Sequence, residues 1–234
     1  MKSIVSVPKL ETTAEGMIPL EGVVVEAVLR DLLGEVAVTQ TYRNTEQVAI
    51  EAVYTFPLPF GAVLLDLAVR IGDRELEGMV VERHRAEEQY EDAITDGDTA
   101  VFLEEIQPGM YTMNVGNLMP GEALTVRFTY SFLCRWQGDS LRFLLPTTIA
   151  PRYGNPSDAG IQPHQEPVVS LFHRNEYTLT VRIAGLLKDS LIESPSHRIK
   201  MVQEEDSVLV RLGEREPMDR DFVLILTPDG VPAD

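Results

Sequence analysis

The chain has 234 residues, 44% hydrophobic and 24% charged, with a formal net charge of −17. That length and composition suit a globular chain able to bury a sizeable core. So large an excess of carboxylates argues against nucleic acid and against anionic membrane surfaces, both of which require clustered Lys and Arg, so neither a nucleic-acid partner nor membrane insertion is expected.

Residues 1–17 read as an N-terminal arm. They lack the apolar core of a signal peptide, and no apolar run in the chain approaches the roughly 18 residues of a spanning helix, so the default expectation is a cytoplasmic chain. From Gly22 to Arg43 the alternation of "VVVEAVLRDLL" and "EVAVTQTYR" predicts a β-hairpin turning at Gly34. A second strand pair is expected from "AIEAVYTF" (Ala49–Phe56) and "AVLLDLAVRIG" (Ala62–Gly72). The prolines of "PLPFG" break the pairing between them because proline cannot donate to a ladder. Tyr54, Phe56 and Leu58 alternate and should share one core-facing side. "ELEGMVVE" completes the group.

"RHRAEEQYEDAITDG" (Arg83–Gly97) then changes the period. It predicts a short α-helix over about residues 83–96, closed by Gly97 as a left-handed cap. At 100° per residue, Ala86, Tyr90, Ala93 and Ile94 form a stripe about 100° wide, the width that docks a helix on a core. His84, Glu87, Glu88 and Glu91 fall on the flank and outer face. One His and three carboxylates are ligand types for a divalent cation, and "DGDT" adds Asp96 and Asp98. The pattern D-x-[DN]-x-[DN]-G is absent, however, and a site needs ligands from more than one element. The reading is therefore no metal and no cofactor. A cation site at His84, Glu87, Glu88, Glu91, Asp96 and Asp98 is the alternative to a solvated face.

The helix charges run against its own folding. Glu87–Glu91 and Glu88–Asp92 are like-charge pairs one turn apart. Arg83 and Arg85 lie near the positive end of the macrodipole, and Asp92 and Asp96 near the negative end. Residues 82–105 carry nine acids against two arginines. The helix should thus be held by packing of Ala86, Tyr90 and Ala93. Glu87, Glu88, Glu91 and Asp92 are then candidates for contact with a basic partner surface.

Strands resume at "TAVFLEEI", "MYTMNVGNL", "EALTVRFTYSFLCRW" and "SLRFLLP", with Pro120-Gly121 and Gly138-Asp139 as turns. The single cysteine, Cys134, excludes an intramolecular disulfide and reads as a small buried filler. Residues 153–167 form a Pro-rich connecting loop. Arg152 and Tyr153, just before and within it, serve either as a fixed structural feature or as interface anchors. Residues 168–228 hold "EYTLTVRI", "RIKMVQ", "SVLVRLG" and "DFVLILT", an antiparallel β segment of the same or an adjoining sandwich. "SPSH" sets Ser194, Ser196 and His197 together, but adjacency is not triad geometry and no G-x-S-x-G elbow occurs. A turn capped by hydroxyl and imidazole is the expectation, with no catalytic residue. About a dozen strands and one helix make the fold mainly β, an antiparallel β-sandwich.

Six stretches in order resemble the vault protein inter-alpha-trypsin (VIT) domain family. They are "EAVYTFPLPFGA" (Glu51–Ala62), the helix with Ala86, Tyr90 and Ala93, "VGNLMPGE" (Val115–Glu122), "LPTTIAPRYGNP" (Leu145–Pro156), "SPSH" (Ser194–His197) and "DRDFVL" (Asp219–Leu224). They cover roughly residues 18–228, with the main sandwich over 18–152. Tyr111 stands where the family pattern has Phe. The resemblance implies a β-sandwich without enzymatic activity, a protein-interaction or scaffold module like that of inter-alpha-trypsin inhibitor heavy chains. Its implied partner is a protein, the von Willebrand factor A domain that such modules accompany, beside the basic surface expected from the helix charges. The D-x-S-x-S metal-adhesion signature of that domain does not occur in this sequence, so metal-dependent adhesion is not implied for it.

Overall fold

A computed structural model describes residues 9–12, 16–18, 20–59, 61–77, 83–147 and 176–228. The first strands are β1 (Lys9–Thr12), β2 (Gly16–Ile18), β3 (Leu20–Arg30), β4 (Leu33–Arg43), β5 (Ile50–Pro57), β6 (Val63–Ile71) and β7 (Arg74–Glu77). Helix α1 (Arg83–Thr95) follows. Then come β8 (Val101–Gln107), β9 (Met110–Leu118), β10 (Ala123–Leu133), β11 (Arg135–Gln137) and β12 (Ser140–Leu145). The last set is β13 (Glu176–Ala184), β14 (Leu191–Glu193), β15 (Ile199–Gln203), β16 (Ser207–Leu212), β17 (Glu216–Pro217) and β18 (Phe222–Thr227).

These strands form three sheets. The largest has nine strands in the order β15-β16-β13-β3-β4-β10-β6-β7, with β17 also paired to β13. A five-stranded sheet runs β2-β1-β5-β9-β8, and a four-stranded one β11-β12-β18-β14. Alternation explains the large sheet. In β3, Val23, Val25, Ala27 and Leu29 are buried while Val24, Glu26, Val28 and Arg30 are exposed, because successive side chains point to opposite faces.

Both smaller sheets lie on the same face of the large one. Phe128, Tyr130 and Phe132 project from one side of β10. Phe128 stacks on Phe56 of β5 with centroids 4.4 Å apart, and Phe132 on Phe143 of β12 at 5.8 Å. The rings continue through Phe143–Phe222 at 6.2 Å, Phe222–His197 at 5.4 Å and His197–Tyr177 at 6.0 Å. One aromatic ladder therefore joins all three sheets, and offset or edge contacts of this kind add to the apolar burial itself. Cys134 lies in this core, as expected of a filler.

The mainly β sandwich architecture, with one α-helix among the described residues, is as the sequence indicates, but several details differ. The strands number more than a dozen because β1, β2, β11, β14 and β17 are two to four residues long, too short to show alternation. One pairing, β13 with β3, is parallel. Most of the chain separates these two strands, so no hairpin forces an antiparallel return. The first hairpin turns at Asp31-Leu32, with Asp31 at φ 53°, and not at Gly34. Gly34 sits within β4 because the Phe132 ring covers it, and a Cβ there would lie 2.4 Å from the ring. The strands β5 and β6 do not pair with each other. β5 joins β1 and β9, while β6 joins β10 and β7, so the Pro57–Pro59 link carries the chain between sheets. Phe56 and Leu58 are buried as expected. The Tyr54 side chain, Arg152, Tyr153 and the loop 153–167 lie outside the described residues.

Candidate functional site

Helix α1 lies on the outer side of the five-stranded sheet, and two adjacent β9 residues make its seat. Val115 points into the core while Gly116 faces the helix. A Cβ on Gly116 would fall 1.9 Å from Ile94 Cδ1 and 3.1 Å from the Tyr90 hydroxyl. Only the absence of a side chain lets the helix approach so closely. Tyr90 also packs on Phe102 of β8, with ring centroids 6.2 Å apart. Burial, followed by the Glu51 and Glu91 carboxylates, pushes the Tyr90 phenol up to about 12.

Asn117, next in the chain, closes the helix. Its side-chain amide donates to the Ile94 and Asp98 carbonyls at 3.3 and 3.0 Å, satisfying groups the helix C-terminus leaves open. Gly97 adopts φ 83° as the expected cap, and its N–H donates to Ile94 O at 3.1 Å. The half-buried stripe of Ala86, Tyr90, Ala93 and Ile94 matches the angular reading.

The carboxylates point away from this seat. Glu88, Glu91 and Asp92 are exposed and Glu87 is half-buried. The first turn of the helix holds no acid and the last no base, the reverse of what the macrodipole favours. His84 is 80% exposed, with Nδ1 3.9 Å from Glu87 and Nε2 3.7 Å from Glu88, the spacing of neighbours one helical turn apart. Asp96 and Asp98 are exposed, and their main-chain N–H groups donate to Asp92 O and Ala93 O. Among the described residues, no group of three or more His, Cys, Asp and Glu is placed to hold a metal ion.

"SPSH" is a corner brace. The Ser194 hydroxyl donates to Val223 O at 2.8 Å and accepts the His197 N–H at 3.2 Å. The Ser196 hydroxyl accepts the Val223 N–H at 2.8 Å and lies 2.8 Å from His197 Nδ1. His197 Nε2 is 3.2 Å from the Tyr177 hydroxyl, and Arg220 donates to Ser196 O at 2.9 Å. Both hydroxyls thus hold β18 in place.

His197 is only 7% exposed. Burial, aided by Arg220 and partly offset by Glu216 and Asp219, holds its imidazole below the usual histidine range. The unfolded chain therefore takes up this proton first as pH falls below about 6.5. Stability is unaffected by His197 above that pH and declines as pH drops towards the folded-state value. Urea midpoints measured at several pH values between about 7.5 and 5.5, where carboxylates stay ionised, should fall for the wild type. His197→Gln should remove most of that slope.

Sequence reasoning missed a second brace, centred on Asn44. This side chain is 1% exposed. Its amide donates to Val48 O at 3.0 Å and Leu118 O at 2.9 Å, and its oxygen accepts the Glu46 N–H at 2.8 Å. Its main chain donates to Glu122 O and accepts from Gly121. The β4–β5 and β9–β10 crossings between sheets are pinned together here. An Asn at a strand end beside Ser or Thr signals a turn, but not the distant Leu118 it would reach.

Residues 20–130 match the vault protein inter-alpha-trypsin domain. The chain is 26% identical to human protein mono-ADP-ribosyltransferase PARP4 over 213 residues, covering 90% of this chain and 12% of that protein. It is 28% identical over 221 residues to von Willebrand factor A domain-containing protein 5A of Rattus norvegicus, covering 89% of this chain and 26% of that one. A von Willebrand factor A domain-containing protein of Dictyostelium discoideum is 36% identical over 114 residues, 49% of this chain and 12% of its own length. This chain thus spans about a quarter or less of the length of these relatives.

Proposed function

From the match of residues 20–130 to the vault protein inter-alpha-trypsin domain, we propose a non-enzymatic protein-interaction module that presents the outer face of α1 to a basic protein surface. One observation carries the reading. The helix is held by Tyr90, Ile94, Gly116 and Asn117, while Glu88, Glu91 and Asp92 are exposed and Asp92 stands in the last turn, where the macrodipole disfavours an anion. Carboxylates kept at such a cost suit a function other than folding. The von Willebrand factor A domain named in two of the relatives is the partner of first choice. Arg152 and Tyr153 remain candidate contacts of the same module.

The test is a titration of this chain against a von Willebrand factor A domain, taken from the rat relative, at low and high salt. Lysine at Glu87, Glu88 and Glu91 should weaken association at least about tenfold and leave the melting temperature unchanged or raised. Wild-type association should weaken with added salt, as exposed charge pairs do. Unchanged affinity in the triple variant would refute the assignment of the helix.

A further inference from the structure

The nine-stranded sheet ends on β15 (Ile199–Gln203), and no described element lies beyond it. Ladder bonds alternate along an antiparallel pair, which fixes what this edge offers. The Gly213 N–H donates to Arg198 O, and the Glu204 N–H to Ser207 O. Lys200 and Val202, in phase with Arg198 and Glu204, therefore also turn their main-chain groups to β16, opposite Arg211 and Leu209. The N–H and C=O groups of Ile199, Met201 and Gln203 point outward, an open row of donors and acceptors. Proteins ordinarily blunt such an edge with proline, a bulge or charged side chains. The opposite edge of the sheet, β7, has three charged residues in four. β15 has no proline and an unbroken register with β16. Its one charged residue, Lys200, is turned back and donates to Gly213 O at 3.1 Å. Met201 is 54% exposed on one face and Val202 53% on the other, so an added strand finds apolar neighbours on both sides.

Charge decides which strand fits. At the start of β15 lie Arg198 and Lys200, with Arg211 and Arg215 from β16 and its flank. Arg220 joins them by donating to Ser196 O. Against these five bases stand three acids, Glu214 and the Arg220 partners Glu216 and Asp219. The other end of β15 reverses the balance. Glu204, Glu205 and Asp206 lie there, against Arg182 of β13, which pairs with Glu204. The edge is thus basic at one end and acidic at the other. A second copy laid parallel would set like ends together. Laid antiparallel and centred on Met201, it sets Arg198 and Lys200 of each copy beside Glu204 and Glu205 of the other, the arrangement that favours cross-strand pairs. The same register joins Met201 to Met201 and Ile199 to Gln203, and it uses every outward main-chain group of β15.

We propose that β15 is a homodimer edge, at which two copies pair antiparallel about a two-fold axis and continue one sheet through both. The charge of −17 on each copy opposes association, so the dimer is a weak one. Sedimentation of the full chain from about 5 to about 500 µM tests it, a range that brackets weak dimers. Mass should double with concentration. Hydrogen exchange followed by NMR should slow, on dimerisation, at the Ile199, Met201 and Gln203 amides and not at Lys200 and Val202, which already donate to β16. Met201→Pro removes the central outward donor and leaves the bonds to β16 in place. It should raise the dissociation constant at least about tenfold, because the two-fold axis doubles the loss. Arg198→Glu alters an exposed side chain, so circular dichroism should not change, while the dissociation constant should rise at least about threefold. A monomer throughout the range, a dimer indifferent to both variants, or a dimer without the alternating protection overturns the proposal.

Discussion

Phe143→Ala should destabilise the protein by about 3–5 kcal/mol, the cost of removing a fully buried aromatic side chain and leaving a cavity. Phe143 is 0% exposed and is the ring through which the aromatic ladder passes from β10 to β18. Its neighbours are Phe132 at 5.8 Å and Phe222 at 6.2 Å. The surrounding strands cannot collapse into the gap, because β12 is tied along its length to β18, from Leu141–Leu226 to Leu145–Phe222. Loss should therefore appear in the four-stranded sheet first. Urea unfolding should show a lower midpoint. Native-state hydrogen exchange should report faster opening of β12, β18 and β14 than of β4. A loss under about 1 kcal/mol would show that the ladder is not what joins the sheets.

Asn44→Ala should cost about 2–4 kcal/mol, although it removes little apolar surface. Three hydrogen bonds disappear, and the Val48 carbonyl, the Leu118 carbonyl and the Glu46 N–H are left to find other partners. An unpaired buried polar group costs about 1–3 kcal/mol. Asn44→Asp keeps the acceptor for Glu46 but puts an anion opposite two carbonyls, so it should do no better than alanine. Chemical denaturation of both variants checks this. A near-neutral Asn44→Ala would mean that the main-chain bonds to Gly121 and Glu122 hold the crossing unaided.

Much of the fold was legible locally. Alternation located the long strands and their buried faces, as in β3 and β4. The angular stripe of α1 was correct because a docked helix must turn one face inward. The candidate site was legible only in part. The outward acids could be read from spacing, but their seat on Gly116 and Asn117 could not, since these residues lie on a strand with its own pairing. Three of the motifs that carried the family resemblance contain braces. Asn117 and Glu122 of "VGNLMPGE" cap a helix and close a turn. Ser194 and Ser196 of "SPSH" hold β18. Asp221 of "DRDFVL" accepts the Thr147 N–H at 3.1 Å, while the Arg220 carbonyl accepts its hydroxyl at 2.7 Å.

The amino-acid sequence by itself determined the mainly β class, the one amphipathic helix, the family motifs and the acidic character. Each of these follows from residue type and from periods of two or 3.6 along the chain. Tertiary structure alone decided that β5 and β6 belong to different sheets, that β13 lies parallel to β3, and that the hairpin turns at Asp31 with Gly34 beneath a ring. The reason is physical. Periodicity records which side of an element is apolar, whereas sheet membership depends on residues far apart in the chain that meet only when it folds.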